Sequence, residues 1–514
     1  EGLGRPSSSK PWGGSEVDNI LSLLEGRTVE ERTAELMEKA RKENGSHSSE
    51  GGDISFSLSV SPEFYAHSNE EEYNLESSWI HGFDYRKAFL MGEMDVNFFD
   101  KFHLYSNLSL GWGRTTYKDE WTLLKDMPQY SGVGAIVSKD DETASIVTSS
   151  YLYSKAFLFS FPDISMLNIE TPTRNYISTG GDGWFLTLSK DKLEWNKSHI
   201  GSFIFDSHLE YQEYLRFKLF GDKLGLEFVM EYFDTDTSNN VMSTGSGIYR
   251  LFSAHAISYR PVPSLSFTLS ENIMYVSDSV DPHYLNPSTL YHNLNNSTLL
   301  NAIAHVAFSF SPMKGVNTYG QFVLDQATAP SGASIQAAAW GISLGIEGAK
   351  RIKNGTFTYN VEGAYTTPEL YRRENADFLL FQRYSTNLNY KRFLFFDYFG
   401  FPYGGDAIVI EGEGAWESCN GWKIGVRGEY LLHGKMGFFT SHSTTGANSK
   451  VPDIKDATPD GEDTKRYTLS LYGEWEIMEI RYVKEMDLRF ALDLTKTTKD
   501  SGDFQFSAGM TIKI

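Results

Sequence analysis

From Ile54 onward, runs in which apolar residues recur at every second position return along the chain, except in the poorly patterned residues 115–207, and this period of two constrains the fold more than any other feature. Ile54, Phe56, Leu58 and Val60 alternate with serines. The same pattern returns in Leu224, Leu226, Phe228, Met230 and Tyr232, in Trp340, Ile342, Leu344 and Ile346, in Trp422, Ile424, Val426 and Tyr430, and in Leu488, Phe490, Leu492 and Leu494. Between them stand Thr358, Asn360 and Glu362, then Lys423, Arg427 and Glu429, then Asp487, Arg489 and Asp493, so charges occupy the second face in mid-strand. A soluble sandwich alternates too, but with strands of about 5 to 6 residues. Runs approaching about 10 residues, with Tyr or Trp at their ends, are what a membrane barrel requires.

Connection lengths give a second, independent indication. Short turns fall at Phe220 to Lys223, Arg260 to Ser264, Ser311 to Gly315, Lys353 to Thr356 and Ser418 to Gly421. Between them lie polar stretches at residues 234–248, 277–298, 367–406 and 433–465. Short turns on one side and long loops on the other describe an outer-membrane barrel. Thirteen strands are expected from residue 208 onward and three between 54 and 114, while residues 115–207 must supply an even number. The expected fold is therefore all-β, a transmembrane antiparallel β-barrel of about 18 strands within a range of about 16 to 20.

The ends of the chain differ from the middle. Ser15 with Asp18, and Thr28 with Glu31, have capping-box spacing and predict two short helices. Thr33, Leu36, Met37 and Ala40 share one face of the second. Such a thin apolar stripe must dock on something. Residues 45–53 read as a Gly/Ser-rich linker, so the expected division is a periplasmic helical segment and linker at 1–52 and a barrel at 53–514. At the other end, Ser507 to Ile514 resembles the C-terminal strand that bacterial barrel-assembly machinery reads, with Ile in place of the more typical Phe. The chain opens on Glu1 without a basic, apolar leader, which reads as a mature protein whose signal peptide has been removed.

Composition excludes several functions. With 46 Lys plus Arg against 67 Asp plus Glu the net charge is −21, which argues against nucleic acid as a partner. A helical span needs about 20 apolar residues, and the most apolar stretch, Ala337 to Ile346, has ten residues with Ser343 among them. One cysteine, Cys419, excludes an internal disulfide framework and a thiolate metal cluster. No HExxH, GxSxG or phosphate loop stands in its required context, so no catalysis is expected. The nearest thing to a catalytic pair is His305 with Asp325, which reads better as a lumen-facing polar contact.

The segment Ser270 to Asp325 carries more information. It runs from Ser270-Glu271-Asn272-Ile273-Met274-Tyr275 through a loop with Tyr284-Leu285-Asn286-Pro287, Tyr291-His292-Asn293 and Asn295-Asn296 to Tyr319-Gly320-Gln321-Phe322-Val323-Leu324-Asp325. Val361-Glu362-Gly363-Ala364-Tyr365-Thr366 with Tyr371, and Phe401-Pro402-Tyr403-Gly404-Gly405-Asp406-Ala407, follow in order. Over roughly residues 250–435 this order resembles the capsule-assembly Wzi family of outer-membrane proteins, with departures at Gly363 and Tyr403. The resemblance implies an eighteen-stranded barrel in the bacterial outer membrane, both termini periplasmic, that binds or organises capsular polysaccharide.

Residue chemistry is compatible with that role. Sugar sites combine aromatic faces with Asn, Asp and His groups that satisfy hydroxyls. The candidate glycan ligands are Glu271, Tyr275, Tyr284, Asn286, Tyr291, Asn295, Asp325, Tyr398, Tyr403 and Asp406. The alternative is that these aromatics pack on one another to close the barrel mouth. Acidic residues at 70–72, 140–142, Asp234, Asp236, Asp453, Asp456, Asp460, Glu462 and Asp463 form an expected outer rim. No cofactor is expected, although calcium is chemically compatible with such carboxylate-rich loops and a solvated rim is the plainer reading. Two rival functions stay open: a porin or substrate-selective channel, and an anchor whose residues 15–43 recruit a periplasmic or lipoprotein partner.

Overall fold

The computed structural model describes the chain apart from residues 1, 6, 26–28, 30, 46–51, 70, 74–79, 82–86, 100, 113–121, 124–144, 147–156, 160–166, 169–173, 210, 234–248, 278–281, 295–299, 327–337, 374–375, 387–390, 438–439, 441–456 and 481–482. Eighteen antiparallel strands form a closed barrel. The first, β1, is made of Asp53–Val60 and Glu63–His67, and is followed by β2 (Leu90–Phe98), β3 (Phe102–Trp112), β4 (Asn175–Gly181), β5 (Trp184–Asp191) and β6 (Gln212–Phe220). Next come β7 (Leu224–Tyr232), β8 (Tyr249–Val262), β9 (Leu265–Ser277), β10 (Leu300–Met313), β11 (Val316–Gln326) and β12 (Ala339–Ile352). The last six are β13 (Gly355–Thr366), β14 (Ala407–Ser418), β15 (Trp422–His433), β16 (Thr464–Ile480), β17 (Val483–Thr497) and β18 (Asp503–Lys513). Each pairs with its sequence neighbours, and β18 returns to β1 through Gln505↔His67 and Ser59↔Lys513.

The polarity of this wall is inverted relative to a protein dissolved in water. Along β6, Gln212, Tyr214, Arg216 and Lys218 are buried while Phe217 and Leu219 are exposed. Phe56, Leu188, Leu226, Leu269, Leu344, Val361, Ile410, Leu469 and Leu494 continue the exposed apolar band around the ring. Asn272, His305, Gln321, Glu362, Glu411 and Asp493 are the buried alternates. A band of this extent would aggregate in water; in a bilayer it is the lipid face, and the polar alternates line the lumen. Residues 115–207 contribute β4 and β5 to the ring, which gives the eighteen strands expected.

Two helices, α1 (Gly14–Ser22) and α2 (Glu31–Gly45), cap the short-turn end. The capping box expected from Ser15 and Asp18 does not form: α1 starts at Gly14 after Gly13, with no side-chain cap. Tertiary contacts take those groups instead, since Asp18 accepts a bond from Asn44 (2.9 Å) and Glu16, in the first turn, pairs with Lys218 (2.6 Å). The second expected cap, Thr28, lies outside the described residues. Further docking comes from Asn19 to Asp222 in the β6–β7 turn (3.2 Å) and from Lys39 with Glu476 on β16 (3.8 Å). Residues ahead of α1 run into the barrel, where Ser9–Lys10 pairs with Glu194–Trp195.

Candidate functional site

The lumen is occupied. The connection from β5 to β6, residues 192–211, folds inward rather than out, and buries Leu193, Trp195, Ile200, Phe203, Ile204, Phe205 and Leu209. It meets Phe252 of β8 on one side and Phe378, Phe399 and Phe401 of the β13–β14 connection on the other. Ring centroids lie 5.2 Å apart for Phe205 and Phe252, 5.1 Å for Phe205 and Phe399, and 5.2 Å for Phe203 and Phe401. The two inserted segments touch at backbone level: a Cβ on Gly400 would lie 2.1 Å from the Phe203 carbonyl oxygen. Tyr371 stitches them, donating its hydroxyl to Phe203 O (2.7 Å) and accepting from Phe401 N (3.1 Å).

Below this aromatic core the N-terminal residues are held by charge. Arg216 donates to Glu227 (2.7 Å), Ser9 Oγ (2.9 Å) and Pro11 O (2.6 Å). Trp195 Nε1 donates to the same Glu227 (2.9 Å), and Lys218 bridges Glu16 (2.6 Å) and Glu227 (3.8 Å). Arg5 reaches Glu347 (2.9 Å) and stacks on Tyr319, 3.9 Å from its centroid. Two cations against two carboxylates, all but excluded from water around Lys218, satisfy the condition under which buried charge is tolerated.

Nine of the ten sequence candidates fall among the described residues, in two groups. In the first, Glu271 on β9 fastens the loop above it: its carboxylate accepts from Tyr291 N (2.8 Å), His292 N (2.6 Å) and His292 Nδ1 (3.2 Å). Tyr275 and Tyr284 pack with centroids 4.2 Å apart, and Tyr291 is buried against His255 (4.6 Å) with its hydroxyl on Ser253 (3.0 Å). Asn286 is exposed, and its Oδ1 accepts from Ser288 N (3.1 Å). In the second group, Asp325 on β11 accepts from Tyr371 N (2.9 Å), and buried Asp406 accepts from Asp460 N (2.9 Å) and Met436 N (3.2 Å), tying the β13–β14 connection to β11 and to the β15–β16 connection. Tyr398 is buried beside Tyr371, and Tyr403 donates to Glu429 (2.7 Å). Asn295 lies outside the described residues.

His305 does not meet Asp325; it bonds to Ser270 (3.2 Å) and Gln321 (3.3 Å), a fully buried contact between strands. The expected acidic rim is also modified. Glu70, residues 140–142, Asp234, Asp236, Asp453 and Asp456 lie outside the described residues, while Asp460 is buried and paired with Lys435 (3.1 Å) rather than solvated. Sequence reasoning missed the inserted segment altogether. Its trace was there in Ile200, Phe203, Ile204, Phe205 and Leu209, an apolar cluster without alternation between two alternating strands. That pattern means burial from every side.

The bond to Glu271, set against partial burial, raises the His292 pKa above its ordinary value of 6.5. A raised histidine contributes stability that is complete below the unfolded value and lost as pH rises through the folded one. The turn at Tyr291–Leu294 is therefore expected to loosen as pH rises from the ordinary histidine value of 6.5 through the raised one. Hydrogen–deuterium exchange, corrected for the intrinsic pH dependence, checks this: protection should fall across that window in the native protein and lose its pH dependence in His292→Gln.

An apolar outer band, a polar lumen and a filled interior define a transmembrane β-barrel of the outer-membrane type. Among solved structures the fold is similar to Wzi of Escherichia coli, an outer membrane protein involved in group 1 capsule assembly and a carbohydrate-binding barrel, with a TM-score of 0.57 and 12% identity over 100% of this chain and 94% of that one. It is also similar to OccAB4 of Acinetobacter baumannii, at TM-score 0.43 and 9% identity over 90% and 99%, and to OprD of Pseudomonas aeruginosa, at 0.38 and 8% over 90% and 95%. Likeness at such identities is likeness of fold. No protein-family profile and no curated protein matches the sequence.

Proposed function

We propose that this chain is a non-catalytic protein of the bacterial outer membrane, with its termini on the periplasmic side, that binds surface polysaccharide at its long-loop face. The filled lumen carries the reading. A channel needs a continuous water path, whereas Phe203, Phe205, Phe252, Phe378 and Phe399 are fully buried across the interior. The fold likeness to a carbohydrate-binding barrel supports it. In this reading Tyr275, Tyr284 and Tyr291 give the loop its shape, and exposed Asn286, Ser288 and His292 present hydrogen-bonding groups to sugar hydroxyls. Purified, folded barrel is expected to bind glycans on an array and to lose binding when residues 277–298 and 383–406 are shortened. Retention of full binding by the shortened protein would overturn the site.

One observation favours a channel. A cavity of about 1180 Å³ remains at the short-turn end, lined by Glu63, Tyr65, His81, Glu413, Arg427 and Arg489 among others, with Leu36 and Lys39 of α2 at its edge. It is wide enough for a small solute, and conductance separates the two readings, as set out below.

A further inference from the structure

Four neighbouring strands crowd carboxylates onto one inward face. In the register of β12, β13, β14 and β15, Glu347 stands opposite Asn360, Asn360 opposite Glu413, Glu362 opposite Glu411, and Glu411 opposite Glu429. Like charges directly opposite one another destabilise a sheet unless something compensates them. Arg5 compensates Glu347 (2.9 Å), Arg427 compensates Glu411 (2.6 Å) and Arg466 compensates Glu429 (2.9 Å). Among the described residues no ion pair involves Glu362 or Glu413, although Lys423 lies near enough to act on Glu413 by its charge, and His199 itself faces Glu347 through Nε2 (3.1 Å).

Into this face the inserted segment lowers His199. A ring nitrogen of His199 and carboxylate oxygens of Glu411 and Glu413 lie within 4.8 Å of one another. Glu411 and Glu413, two apart on β14, point to the same side by the period of the strand. An independent sign comes from Asn360, only 5% exposed: its Nδ2 donates to Glu413 (3.2 Å), but its Oδ1 has no hydrogen-bond partner. A buried carbonyl oxygen without a partner is costly, and this one belongs to an amide seated against the carboxylate cluster. Turning that amide over brings the oxygen to the position the nitrogen now holds.

We propose that His199, Glu411, Glu413 and the Asn360 carbonyl oxygen bind one divalent transition-metal ion, Zn²⁺ or Mn²⁺. One imidazole with carboxylate and amide oxygens is a donor set these ions accept, and a cation suits a face on which neither Glu362 nor Glu413 has an ion-pair partner among the described residues. The ion joins the inserted segment to the wall, because His199 belongs to the first and the other three ligands to β13 and β14. This proposal stands apart from the glycan reading.

The test uses folded full-length barrel in detergent, stripped with chelator, then titrated with Zn²⁺ by calorimetry and with Mn²⁺ by electron paramagnetic resonance. One saturable equivalent is expected, and the nitrogen coupling of a single imidazole should appear in the Mn²⁺ spectrum. Glu413→Gln and His199→Gln are each expected to weaken binding by at least about tenfold, with the exposed-turn variant Asp222→Asn unchanged and folding followed by heat-modifiable gel migration. Absence of saturable binding, absence of the nitrogen coupling in the wild type, or native affinity in both variants would overturn the proposal. The first two outcomes need no variant to fold.

Discussion

Planar bilayers containing the intact protein should show no large, stable conductance steps, and replacing residues 193–210 by a short Gly/Ser linker should produce them. The expectation rests on how the inserted segment is held. Phe205 makes edge contacts with Trp195 (4.8 Å), Phe252 (5.2 Å) and Phe399 (5.1 Å), so one side chain joins the segment to the wall and to the second insertion. Removing a single buried Phe of this kind costs about 3–5 kcal/mol, and the excision removes Phe203, Ile204 and Phe205 together. The wall does not depend on them for its hydrogen bonds, since β5 and β6 pair with each other from Trp184↔Leu219 to Asp191↔Gln212. The excised protein is therefore expected to remain heat-modifiable while its lumen opens. Large steps from the intact protein would sink the closed-lumen reading; silence from the excised one would show that residues 193–210 are not the obstruction.

Glu227→Ala should release the N-terminal residues and destabilise the whole interior. Glu227 receives Arg216, Trp195, Ser9 and, at longer range, Lys218, and is itself buried. Without it, Arg216 and Lys218 are left in the lumen with Glu16 as the remaining acidic partner. Breaking a buried pair by removing one member costs about 3–5 kcal/mol, because the other charge stays uncompensated. Two measurements check this: the urea midpoint of the detergent-solubilised barrel should fall, and limited proteolysis ahead of α1 should accelerate. Replacing the pair together, as Arg216→Met with Glu227→Leu, should cost much less, since the stranded charge is gone. If the single and double variants behave alike, the charge argument fails and Glu227 acts through packing alone.

Much of the wall was legible because each of its residues faces one of two solvents. Lipid on one side and a polar lumen on the other force a strict alternation, and Leu224 to Tyr232 displays it without any tertiary information. The long loops were legible by the same logic, as interruptions of the period. What the inserted segment does was not, since Phe203-Ile204-Phe205 has neither period and its burial depends on Phe252 and Phe399, far away in sequence. The candidate site lies between these cases. Its tyrosines could be picked out as aromatics in a loop, but whether a face is open to a sugar or covered by a neighbour depends on packing, and Tyr275 on Tyr284 is covered. Glu271, an expected ligand by its residue type, also holds the loop in place by accepting from Tyr291 N and His292 N, which only the folded chain displays.

The ring that encloses all this is not equally strong all round. Eleven register positions join β17 to β18, whereas β18 meets β1 at five positions in Glu63–His67 and two in Ser59 and Val60, with Pro62 between them unable to donate. This is the seam of the barrel, joining the earliest strand to the last, and its pairing is interrupted where that of β17 with β18 is continuous. A ring parted at that seam keeps residues 192–211 tethered between β5 and β6 and packed on Phe252 of β8, so the filling of the interior is held by strands away from the break.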